Sequence, residues 1–239
     1  SLGAATEPDR PSISRFFFLS MALSAWKQVV DAGGEGVSRW ALRVNPSSGN
    51  LHPTEAYLLC GPLPGISSEA GIYHYSPLRH LLEKRVILTH EEWADLTANY
   101  SGGVVFVVLT SIHWREAWKY GERAFRYCNH DAGHALACIS FAANLFGWKV
   151  TYLNALSDEA IQTVLGFDQI PFPRLEDEHP DFLCFIHPLT ASHIPRDLPD
   201  QIISEFADLN FIGKPEPLSQ TVVNWEIIYQ TARQTCKPA

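Results

Sequence analysis

Apolar residues recur along the chain with two periods, and the alternation between them outlines its elements. Residues 14–30, SRFFFLSMALSAWKQVV, place Phe17, Met21, Leu23 and Val30 in an apolar set that predicts a helix, broken by Gly33, Gly34 and Gly36. The polar first dozen residues, with Pro8 and Pro11, are expected to form a loose lead-in. EAYLLCG, GIYHYSP and LLEKRVIL predict strands, the last two joined by a turn at Ser76-Pro77. THEEWADLTANY opens with Thr89 and has Glu92 three positions on, a capping box that predicts a helix. GGVVFVVLTSI is a continuous β-branched run and predicts a buried strand.

Residues 113–127 predict a helix, and residues 131–147, DAGHALACISFAANLFG, are apolar nearly all round, which predicts a second helix buried on most sides and ended at Gly147. WKVTYL and DFLCFIHPL predict further strands. SDEAIQTVLG, with Ser157 as N-cap, and RDLPDQIISEFADL predict helices. From Gly213 an extended tail precedes VVNWEIIYQTAR. Strands separated by helices without a regular βαβ order predict an α+β fold, a sheet packed with helices. A chain of 239 residues suits one domain, spanning 1–239 with residues 213–239 as a C-terminal extension.

Composition narrows the partners. Hydrophobic residues at 46% and charged residues at 18% describe a folded chain rather than a disordered one. A formal charge of −8 argues against nucleic acid or an anionic membrane as partner, since both need a basic face. No apolar run reaches the length of a membrane span. The five cysteines form no CxxC pair and are expected to be reduced thiols of a cytoplasmic protein.

Three stretches carry candidate chemistry. RVNPSSGNLHPTEAY, Arg43 to Tyr57, packs hydroxyls, Gly49, an amide and His52 into a loop; it suits either an ordinary turn or a place where backbone N–H groups approach an anion or a heteroaromatic ring, with Arg43 as a fixed charge for phosphate. WKYGERAFRY sets Lys119, Arg123 and Arg126 on one side at helical spacing, with Glu122 and Arg126 as an i,i+4 ion pair. It is either a solvated face or the setting for a desolvated lysine base. HDAGH, His130 to His134, approaches the zinc-hydrolase signature, but Asp131 is a carbon shorter than glutamate and Gly133 weakens the helix. The plainer alternative makes Asp131 an N-terminal cap and His134 a core histidine, and no metal is expected.

In this order, PSSGNLHPTEAYL, GIYHYSPLRHLLE and WKYGERAFRYCNHDAGHALACISFAANLFGW resemble the FMN-dependent nitroreductase superfamily, specifically its SagB/ThcOx-type azoline dehydrogenases. The resemblance covers about Arg43 to Leu189. It implies a three-layer α-β-α sandwich with a mainly antiparallel sheet and a long buried central helix at 131–147. It also implies a homodimer or fused pseudo-dimer with FMN at the interface. Pro46, Ser47, Ser48, Gly49 and Asn50 are implied neighbours of the flavin, with His52 in the same loop and His134 at the helix start, while Lys119 and Tyr120 resemble the family's catalytic pair. The family's N-terminal arginine motif has only SISR at 12–15 to match it, which leaves the phosphate to an upstream segment or to Arg43 and Arg123. The implied reaction is hydride transfer from an azoline-type or other small organic or peptide substrate to flavin N5. An NAD(P)H-dependent nitroreductase, a non-catalytic FMN- or substrate-holding half of a pseudo-dimer and, last, a zinc hydrolase are the alternatives.

Overall fold

The computed structural model describes residues 4–100, 105–173, 175–191 and 194–238. Its centre is a six-stranded antiparallel sheet built from β3 (Thr54–Cys60), β4 (Ala70–Ser76), β5 (Leu81–Leu88), β6 (Val105–Ile112), β7 (Trp148–Tyr152) and β8 (Glu178–Pro188), in the order β5-β4-β3-β6-β8-β7. Alternation along β3 explains the layers. Ala56, Leu58 and Cys60 face a core shared with α1 (Arg10–Ser20) and α4 (Ala124–Asn144), while Tyr57 and Leu59 face one shared with α2 (His90–Leu96), α5 (Asp158–Leu165) and α6 (Asp200–Phe206). A strand covered on both faces has no polar side, which is why EAYLLCG and the β6 run read as continuous apolar stretches. The glycines that open the β6 run lie outside the described residues.

Local capping signals are realised. Thr89 and Glu92 form the reciprocal capping box of α2, and the Ser157 hydroxyl accepts from the Ala160 N–H at the start of α5. A third cluster joins α3 (Trp114–Tyr120) to α7 (Glu226–Gln234) through Trp114, Ala117, Ile228 and Tyr229. Among the described residues no helix is long and apolar enough to cross a membrane.

Three expectations need correction. The run 14–30 is two elements: α1 ends at Ser20, and residues 23–30 form β1 (Leu23–Val30), paired antiparallel with β2 (Gly36–Arg43). The glycines taken as a helix stop form the hairpin turn, where Asp31 Oδ1 accepts from the N–H groups of Gly33 and Glu35 (2.9 Å each). Helix α1 also starts inside the supposed lead-in, because Asp9 and Ser12 form a capping box with proline in the first turn. Finally, the break in the second half of the chain falls at Gly121 (φ 56°), so α4 begins at Ala124 rather than at Asp131. One face of α4 is open: Gly133, His134, Ala137, Phe141 and Leu145 are exposed, the last two at 74% and 71%.

Candidate functional site

The loop between β2 and β3 has an unusual backbone. Gly49 (φ 61°), Asn50 (φ 62°) and His52 (φ 52°) all occupy the left-handed region, which is costly for the two that carry a Cβ. Side chains hold it there. Asn50 Nδ2 donates to the Ala41 carbonyl (2.8 Å), His52 N–H donates to Ser47 Oγ (2.8 Å), and His52 Nε2 lies 2.8 Å from Asn50 Oδ1. Burial, then the charges of Arg43 and Arg115, lower the His52 pKa to about 4, so the ring is neutral and Nε2–H is the donor to the amide oxygen.

Asp131 anchors the loop from the opposite element. Its carboxylate is 0% exposed and accepts from Ser47 Oγ (2.7 Å), Ser48 N–H (2.9 Å to each oxygen) and Ser48 Oγ (3.0 Å). It lies in the middle of α4, so it is no N-cap: its partners are 83 and 84 residues away in sequence. His134, expected in the core, is half-exposed with Nδ1 3.8 Å from Asp131, and His130 is exposed. Among the described residues no cluster of three or more His, Cys, Asp or Glu side chains is placed to hold a metal ion.

Beside Asp131 sits a second buried acid, Glu116 of α3. It is 0% exposed and neither oxygen has a hydrogen-bond donor among the described residues. Burial, then the adjacent Asp131 carboxylate, raises its pKa to about 8. Protonated Glu116 has a hydrogen to offer Asp131, whereas ionised Glu116 would leave two buried like charges in contact.

The loop tip meets α3. A Cβ placed on Gly49 would lie 2.8 Å from Lys119 Nζ and would overlap the Tyr120 hydroxyl, so only a bare backbone fits beneath this pair. Lys119 is exposed, which matches the solvated-face alternative rather than the desolvated base; Tyr120 is half-buried with its ring 4.6 Å from that of Tyr127. The predicted cationic stripe does not form on one helix, because Gly121 separates Lys119 from Arg123, and Glu122 and Arg126 make no ion pair. Arg123 and Arg126 are exposed and have no acceptor among the described residues.

Arg43 is placed differently from the expectation of a free phosphate ligand. Its Nη1 donates to the Thr54 carbonyl (3.1 Å) and its Nη2 lies 3.9 Å from Glu55. Glu55 is the centre of a buried network that also takes Arg115 and His74 Nε2 (2.7 Å), while His74 Nδ1 contacts Glu83 (2.9 Å). Burial alone would raise the Glu55 pKa, but Arg115, then His74 and Arg43, hold it well below the usual range. Burial works against His74 too, yet the hydrogen bond and charge of Glu55 lift it to about 9. Arg115 also donates to the His52 carbonyl (2.8 Å), tying this network to the loop. Glu55, His74, Arg115 and Glu116 escaped the sequence reading. The available signal was positional: Arg115 and Glu116 stand one helical turn before Lys119.

Around the bare backbone of Gly49 the fold thus gathers the Lys119 ammonium and the Tyr120 phenol, with neutral His52 three residues on in the same loop. Of the two arginines expected to meet a phosphate, Arg43 is engaged by Glu55 and the Thr54 carbonyl, whereas Arg123 is exposed.

No protein-family model matches the chain. It is 26% identical over 132 residues, 53% of its length, to a candidate nitroreductase of Methanocaldococcus jannaschii, and 29% identical over 132 residues, 52% of its length, to the trifolitoxin-processing protein TfxB of Rhizobium leguminosarum bv. trifolii. These matches span 65% and 35% of the two relatives, so the chain accounts for only part of each. Among solved structures, a candidate nitroreductase of Anabaena variabilis superposes with a TM-score of 0.65 at 22% identity, covering 96% of this chain and 43% of that one. A chain of the E. coli microcin synthetase McbBCD complex with truncated pro-MccB17 bound gives a TM-score of 0.58 at 19% identity, covering 78% of this chain and 66% of that one. The solved structures share the fold of this chain, and in sequence it is similar to part of a candidate nitroreductase and part of a trifolitoxin-processing protein.

Proposed function

We propose that this chain is an FMN-dependent oxidoreductase that dehydrogenates an azoline-type ring, carried on a peptide or a small organic molecule. The observation that carries the reading is the meeting of Gly49 with Lys119 and Tyr120, from segments about seventy residues apart. The relationship to a trifolitoxin-processing protein supports a peptide substrate. Bound FMN would supply the two-electron acceptor that takes a hydride from a substrate carbon.

The chain's own residues do the rest. The loop backbone at Ser47–Asn50, held rigid by Asp131, would seat the isoalloxazine, and Arg123 would meet the phosphate. Aromatisation of the substrate ring releases a proton as well as a hydride; Lys119 as the free amine, or Tyr120 as the phenolate, would accept it. The open face of α4, with small Gly133 and Ala137 beside exposed Phe141 and Leu145, supports a second copy or a fused second half closing the site.

The test is reconstitution with FMN under anaerobic conditions, read by the flavin visible spectrum. The reading expects a yellow protein bleached by an azoline-containing peptide, and a Lys119→Ala variant that keeps the flavin but bleaches at least about a hundredfold more slowly, the range of a lost general base. Failure to retain flavin overturns it. Bleaching by NAD(P)H alone makes the protein a nitroreductase instead.

A further inference from the structure

A cavity of about 550 Å³ opens on the α5/α6 face of the sheet, away from α4, and takes no part in the flavin reading. Lys119, Tyr120 and residues 46–50 do not line it. Its floor is Tyr57, Glu55, His74 and Glu178; its apolar wall is Ile112, Ile170 and Phe172. Its roof is the strap 212–218, pinned at one end by Ile212 N–H to the Arg85 carbonyl (2.7 Å) and at the other by Leu218 N–H and Ser219 N–H to Glu176 (2.7 and 3.0 Å).

Charge in this cavity is lopsided. Five acids line it and four are engaged: Glu55 by Arg115, Arg43 and His74, Glu83 by His74, Glu176 by the strap, and Glu178 by the hydroxyls of Tyr57 (2.8 Å) and Thr110 (2.9 Å); the fifth, Glu216, is exposed on the strap. Of the five cations in the lining, Arg115 is held by Glu55, while Arg79, Lys84, Arg85 and Lys214 have no acceptor among the described residues.

Arg85 is singled out by its backbone. Ile72 pairs with Val86 and Tyr73 with Lys84, so Arg85 is the extra residue of a β-bulge, a device that re-aims a side chain out of the regular alternation. Gly213 (φ 86°) packs its bare backbone over the guanidinium, where a Cβ would come within 2.5 Å of Nη1. A half-buried guanidinium without an acceptor, facing a cavity of this size, matches the fork geometry of a carboxylate or phosphate.

We infer that this cavity is a second ligand site for a small organic anion, its carboxylate or phosphate on Arg85 and its apolar body against Ile112, Ile170 and Phe172. The site reporter is the His74 ring, which lines the cavity. Phenylacetate and phenyl phosphate are titrated separately into the whole chain, with neutral 2-phenylethanol as control, and the His74 ring resonances are followed by NMR. Saturable shifts with at least one anion, weakened roughly tenfold to a hundredfold in Arg85→Gln, are the expected result. The probe that binds tells carboxylate from phosphate. An Arg85→Lys variant, which keeps the charge and loses the fork, is expected to fall between the two. The inference is overturned if neither anion shifts His74, if the neutral alcohol binds as well, or if Arg85→Gln binds the anions unchanged. It is equally overturned if the anions expel flavin from reconstituted protein, since the cavity would then be part of the flavin site.

Discussion

Glu116 offers the sharpest test of how the loop is held. Its pKa rises from an ordinary 4.5 to about 8, through burial first and the neighbouring Asp131 second. Between these two values the folded chain binds a proton that the unfolded chain has released, so stability must fall as pH rises through this window. The ceiling is roughly 5 kcal/mol, at about 1.36 kcal/mol for each tenfold in proton affinity. The overlying loop can relax toward water once the acid ionises, which brings the expected loss to about 2 kcal/mol between about pH 5 and about pH 8. Glu116→Gln removes the titration while keeping a donor for Asp131. Urea unfolding of both proteins across this range, by intrinsic fluorescence, reads the difference. The wild type should lose about 2 kcal/mol more than the variant over the interval. Parallel curves would refute the carboxyl pair, as would a variant less stable than wild type at the alkaline end.

Gly49→Ala should lower stability by about 1–2 kcal/mol, the cost of a left-handed backbone carrying a Cβ, and should also displace Lys119 and Tyr120; a melting curve and a flavin titration check the two effects, and a variant identical to wild type in both would contradict the contact. His74 contributes in the opposite pH direction from Glu116. Its folded pKa of about 9 exceeds the ordinary 6.5, so its contribution is fully present below about pH 6.5 and disappears as pH rises through about 9. Thermal melts from neutral to alkaline pH should show this loss in wild type and not in His74→Asn.

Local chemistry made several elements legible. The Thr89/Glu92 capping box and the Ser157 cap are complete within four residues, so the starts of α2 and α5 follow from sequence. The apolar runs of β3 and β6 announced strands covered on both sides. The hairpin was hidden for a related reason. Trp26, Val29 and Val30 are as compatible with an amphipathic helix as with a strand, and only pairing with β2 decides between them.

At the site, residue types were readable and their assignments were not. The small-residue loop and the Lys119-Tyr120 pair stand out by composition, yet Arg43 looked equally suited to phosphate until Glu55 was found beside it. Asp131 looked like a cap because it opens an apolar run; the run had already begun as helix seven residues earlier, at Ala124. What the sequence by itself determined is the set of local elements and the loop chemistry, since caps, turns and periodicity act over a few residues. What only the tertiary structure decided is which charges are spent and which are free, because Asp131 meets Ser47, Arg115 meets Glu55 and Arg85 meets an open cavity across separations that local physics does not encode.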